Sequence, residues 1–145
     1  MIFGAWHQRQ LGAIVEAMLT DHDERGELAP PSAEVTRLVV EDLSDWLTHS
    51  QTMPTAFKAL IALLALLPLF FVGRLASVAG LPLDVRVTYL ERFERTKVGP
   101  LSMAFIAMKV PLVISAYEVP ENLRVTGFDR SLTERRRLPV AGASR

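Results

Sequence analysis

The chain has 145 residues, half of them hydrophobic and 22% charged. That is enough for one domain with a real core, and too apolar for a disordered chain. Its 16 basic residues cancel its 16 acidic ones, so no global field draws it to nucleic acid, which is not an expected partner. The absence of cysteine excludes disulfides, iron–sulfur clusters, thiolate zinc sites and thiol nucleophiles.

In the opening stretch MIFGAWHQRQLGAIVEAM, Arg9 lies between glutamines and no basic region precedes an apolar run, so mature protein without an export signal is expected. A first helix is predicted over His7–Leu19, with Leu11, Ile14, Val15, Met18 and Leu19 on one face. TDHDERGELAPPSA reads as a polar loop, and Ser32 as the N-cap of a second helix over Ala33–His49. The apolar stripe of that helix is Val35, Leu38, Val39, Leu43, Trp46 and Leu47, with Asp42 at its edge. A third helix, capped by Thr52 or Thr55, is predicted from Pro54 to Val78 and closed by Gly80 and Pro82. Pro68 inside it should kink it or split it, because the ring clashes with the carbonyl four residues back.

A fourth helix over Leu83–Thr96 places Leu83, Val87, Leu90 and Phe93 inward and Arg86 largely outward, with Glu91 and Arg95 as an i,i+4 pair. A fifth starts at Gly99–Pro100, ends near Tyr117 and is broken at Pro111. Runs such as LRVTGF are too isolated to build a sheet. The expected architecture is all-α: a single-domain bundle of about five helices with a partly extended C-terminal arm, residues 1–128 forming the domain and 129–145 a flexible basic tail.

Little in the chain points to a reaction. His7, His22 and His49 sit in separate segments and none forms an HExxH pair. DHDE at 21–24 has the residue types for a metal but no second cluster, and reads as a solvated loop. There is no glycine-rich phosphate loop and no GxSxG elbow. No catalytic, cofactor-binding or metal residue is therefore assigned. Of two basic spots, ERFERTK alternates in sign and reads as a solvated helix face. Arg135–Arg137 is either a frayed tail or a contact for phosphate, headgroups or an acidic partner. Lys109 is the one charge between Lys97 and Glu118. It either snorkels to water or pairs with a carboxylate, from Asp42 or from another chain.

The uncharged run Ala59–Gly73 covers 15 residues. At helical rise it spans about 22 Å, against about 30 Å of hydrocarbon in a bilayer. Pro68 and Arg74 further strain a span there, and Lys109 strains one over residues 98–117. A monomer with three short amphipathic helices cannot cover two helices that are apolar all round. An apolar patch is expected on the surface, and such patches mark interfaces.

The order QRQLGAIVEAML, a proline-containing loop, FKALIALLALLPLFF, then VRVTYLERFERT and LSMAFIAMKVPLVISAYEVPENLRVTGF resembles a known pattern. It is similar to the small helical accessory subunits of glucose–methanol–choline-type flavin dehydrogenases (gluconate 2-dehydrogenase small-subunit-like). It also resembles the N-terminal helical extension of long-chain alcohol oxidases. The residues that carry the resemblance are Arg86, Tyr89, Leu90, Phe93, Phe105, Lys109, Tyr117, Pro120, Gly127 and Phe128. It implies a non-catalytic subunit that carries no cofactor itself and stabilises a large FAD-binding alcohol or sterol dehydrogenase subunit. Some such subunits carry a twin-arginine signal; its expected absence here implies a cytoplasmic complex, placed at the inner face of the membrane. Leu66, Phe70, Phe71, Arg86, Tyr89, Phe105, Lys109, Tyr117 and Phe128 are the expected partner-interface residues. A small membrane-anchored or membrane-peripheral helical protein is the alternative.

Overall fold

The computed structural model describes residues 2–120. They form α1 (Ala5–Met18), α2 (Ala33–Thr48), α3 (Met53–Leu66), the short α4 (Pro68–Val72), α5 (Leu83–Glu94) and α6 (Gly99–Glu118). A minimal antiparallel hairpin of β1 (Asp21–His22) and β2 (Leu28–Ala29) sits between α1 and α2. The architecture is the expected all-α bundle. The expected domain boundary at 128 and the tail 129–145 lie outside the described residues.

Helix α1 buries Leu11, Ile14 and Val15, as its spacing predicts. The following segment, expected as a loop, closes into the hairpin because the Asp23 carboxylate accepts the N–H groups of Arg25 and Glu27, both at 2.8 Å. Gly26 takes the left-handed conformation that the turn requires (φ 77°). Ser32 caps α2 as expected, its Oγ accepting the Val35 N–H at 3.2 Å. On the outer side of α2, Arg37 bridges Glu34 and Glu41, and its hydrogen bond holds the Glu34 carboxyl below the usual carboxylate range. Val35, Val39, Leu43 and Leu47 face the core, whereas Trp46, expected in the stripe, stands half-exposed.

Pro68 splits the third predicted helix into α3 and α4. Proline has no N–H, so the Leu64 carbonyl four residues earlier loses its helical donor. The Tyr89 hydroxyl of α5 replaces that donor at 2.7 Å, fully inside the protein. Burial pushes the Tyr89 phenol well above its ordinary range and keeps it a donor. Around this bond runs an aromatic ladder. Phe71 packs on Tyr89 (5.8 Å between ring centroids) and Phe93 (4.9 Å), and Phe93 packs on Phe105 of α6 (5.6 Å).

The continuation to Val78 does not form. Helix α4 ends at Val72 because Gly73 adopts φ 68°, a helix-terminating conformation that glycine takes without strain. Arg92 of α5 donates to the Phe71 carbonyl at 2.9 Å and covers that helix end. The chain then passes through a 3₁₀ turn, Val78–Gly80, held by the buried Gln10 of α1. The Gln10 amide oxygen accepts the Ala79 N–H at 3.0 Å and its Nε2 donates to Ser77 Oγ at 3.2 Å.

Helix α6 is not broken at Pro111 as expected. Phe105 and Met108 before the proline and Leu112, Ser115 and Ala116 after it are all buried, so packing holds both halves in line. Arg86 corrects a further expectation. It points inward rather than out, donating to Glu16 Oε2 at 2.6 Å and to the Ala13 carbonyl at 3.3 Å, and so ties α5 to α1.

Replacing Tyr89 with phenylalanine removes the substitute donor at the Pro68 break and leaves a buried carbonyl unpaired. We expect Tyr89→Phe to lower stability by about 1–3 kcal/mol in urea unfolding followed by helical circular dichroism. Tyr117→Phe, at an exposed site, should leave the midpoint unchanged.

Candidate functional site: an uncovered apolar face

A surface helix normally turns a polar face to water. Helix α6 does not. Its buried side is Phe105, Met108, Leu112, Ser115 and Ala116. Its opposite side carries Met103, Ile106, Ala107, Val110, Ile114 and Tyr117, all exposed and all apolar save the Tyr117 hydroxyl. The spacings of 3, 4 and 7 put these residues on one stripe about 21 Å long at 1.5 Å rise per residue. Lys109 lies at the flank of the stripe rather than in it, and turns away to Glu94 of α5 and over the Phe105 ring.

Helix α3 repeats the pattern. Phe57, Ile61, Leu64 and Ala65 are buried. Ala56, Ala59, Leu63 and Leu66 face out, and Phe70 of α4 continues their line. Leu66 is 68% exposed and Phe70 78%. Between the two helices runs a groove of about 160 Å³ whose walls include Met53, Ala56 and Leu60 on one side and Ala107 and Pro111 on the other, with Trp46 at its end. The groove joins the two stripes into one apolar surface.

The residues expected at a partner seam fall into three groups. Leu66, Phe70 and Tyr117 are exposed on this surface. Phe71 is half-buried, and Tyr89 and Phe105 are core residues of the aromatic ladder, closed off from the outside in this chain. Arg86 and Lys109 each meet a carboxylate within the chain, Glu16 and Glu94, the latter in place of the expected Asp42, while Arg86 Nε stays buried without a hydrogen-bond partner among the described residues. Phe128 lies outside the described residues. Sequence reasoning missed Met103, Ile106, Val110 and Ile114. Their 3–4 periodicity was present, but it was obscured because every other position of α6 is also apolar.

The chemistry available is sparse. A cleft of about 580 Å³ lies between the hairpin, the start of α2 and the end of α6. Asp21 is the one carboxylate on its wall, Tyr117 adds a phenol, and the Ser32 hydroxyl is taken by the cap. That set offers no acid–base pair and no activated nucleophile. Among the described residues no three His, Asp or Glu side chains gather into a metal-binding group. Comparison with family models, with curated proteins and with solved structures finds no match.

Because Ile106, Val110 and Ile114 are half or more exposed among the described residues, polar residues there should not harm the fold. The triple variant Ile106→Gln, Val110→Gln, Ile114→Gln is expected to change unfolding free energy by no more than about 0.5 kcal/mol per site. In sedimentation velocity it should shift the isolated chain from aggregate toward monomer.

Proposed function

We propose that this chain is a non-catalytic helical subunit that buries its α3–α6 face against a larger protein. The observation that carries the reading is the outward apolar stripe of α6, which water would leave uncovered at a cost. The resemblance in YLERF, FIAMK and the following AY suggests the partner: an FAD-dependent alcohol or sterol dehydrogenase subunit of the glucose–methanol–choline type. On this reading the flavin belongs to the partner and the complex is cytoplasmic, at the inner face of the membrane. The mechanism is burial. Leu66, Phe70, Ile106, Val110 and Tyr117 enter a hydrophobic seam, while Arg86 and Lys109 keep their internal partners and stiffen the helices behind it.

A second reading rests on a separate observation. The segments Met53–Val72 and Gly99–Glu118 are each 20 residues long, and only 28% of each apolar window is buried. By length and composition both reach across a bilayer core. In that case the apolar face meets lipid tails instead of protein.

Affinity purification of the tagged chain from its native host separates the two. A co-purifying large chain with a flavin absorbance spectrum is expected, with release of the small chain from membranes by alkaline carbonate. Retention in the carbonate pellet favours the bilayer reading. A stable, fully soluble monomer in sedimentation would refute both.

A further inference from the structure

The neutral net charge conceals a segregation. Residues 21–49 hold eight acids and two bases, whereas residues 58–109 hold seven bases and three acids. Several of the bases collect at one end of the molecule. The Arg92 contact with the Phe71 carbonyl and the stacking of Phe71 on Phe93 bring the C-termini of α4 and α5 together. The chain leaves the first as Gly73–Arg74–Leu75 and the second as Arg95–Thr96–Lys97–Val98, running directly into α6. Arg74 and Lys97 are exposed and have no ion pair among the described residues, and Arg95 meets Glu91 only at 3.8 Å with most of its side chain in water.

Cations at helix C-termini are ordinarily explained by the helix dipole. That accounts for Arg92. It does not account for the bulky apolar side chains beside these cations. Leu75 is 89% exposed, next to Arg74, and Val98 is exposed next to Lys97. Phe70 also projects at this end. Isolated apolar projections flanked by unpaired cations match a membrane interface, where the apolar tips enter the headgroup boundary and the cations meet anionic lipid. An acidic protein surface would use the cations but would leave Leu75 and Val98 against charge.

We propose that this end of the protein, with Leu75 and Val98 as inserting tips and Arg74, Arg95 and Lys97 as headgroup contacts, binds the surface of an anionic bilayer. The proposal does not depend on which protein covers the α3–α6 face, since the two surfaces are built from different residues apart from Phe70.

Vesicle co-sedimentation of the full chain, diluted from mild detergent and compared with a vesicle-free tube, tests it. Binding is expected to phosphatidylcholine vesicles containing phosphatidylglycerol and not to phosphatidylcholine alone, and it should weaken as salt rises. Arg74→Gln with Lys97→Gln should lower the partition coefficient about 30-fold. Leu75→Ser should weaken binding without removing its preference for anionic lipid. As a control, Arg135, Arg136 and Arg137→Gln should have the smaller effect. Equal binding to neutral vesicles would assign the adsorption to the bare α3–α6 face and overturn the proposal. So would loss of binding in the tail variant but not in the Arg74/Lys97 variant. If the Arg74/Lys97 variant binds vesicles normally but fails to hold the co-purifying large chain, the basic end docks on protein and the proposal is likewise overturned.

Discussion

One missing hydrogen-bond donor organises much of this fold. Pro68 has no N–H to offer the Leu64 carbonyl, and a buried carbonyl without a partner is costly. The Tyr89 hydroxyl supplies the donor, which fixes where α5 lies against the break between α3 and α4. With α5 in place, Phe71, Phe93 and Phe105 can stack in sequence, and the stack positions α6. The helices that carry the outward apolar face are thus held by a polar contact behind them.

The contrast between the two sides of α6 bears on function more than any single residue does. Its inner side makes ordinary core contacts, and its outer side is just as apolar but stands half or more exposed among the described residues. A soluble monomer gains nothing from such a side. Lys109 shows that the composition is organised: the one charge inside α6 before its last residue is turned to Glu94 and leaves the stripe clear. The same helix would be unremarkable inside a larger core.

Much of the architecture was legible because its signals are local. The Ser32 cap, the Pro68 break and the α1 stripe each depend on residues within one or two turns, and each forms as expected. Contacts over long separations were not legible. Periodicity gave Arg86 an outward position, and only the packing of α1 on α5 turns it to Glu16. The role of Gln10 depends on a turn almost seventy residues later, and no pattern near it announces that. Asp23 closing its hairpin was a local signal, present in the spacing to Gly26, that the high charge of the segment hid. For the candidate site, the sequence identified an excess of apolar surface but not its location. Where every position of a helix is apolar, periodicity cannot tell the covered side from the open one.

The Gln10 clasp also sets an order of events. Its partners Ser77 and Ala79, and the Arg86 that meets Glu16, follow α1 by about seventy residues. During synthesis α2 can pack on α1 early, but the residues that clasp Gln10 and Glu16 come much later. Over that interval the side of α1 that meets α5, and then much of α3, leave the ribosome without their full cover. Contacts that close such long stretches of chain form slowly, so the nascent protein spends its most aggregation-prone period half assembled. A helper that binds apolar helices would have its longest opportunity between the appearance of α3 and that of α5.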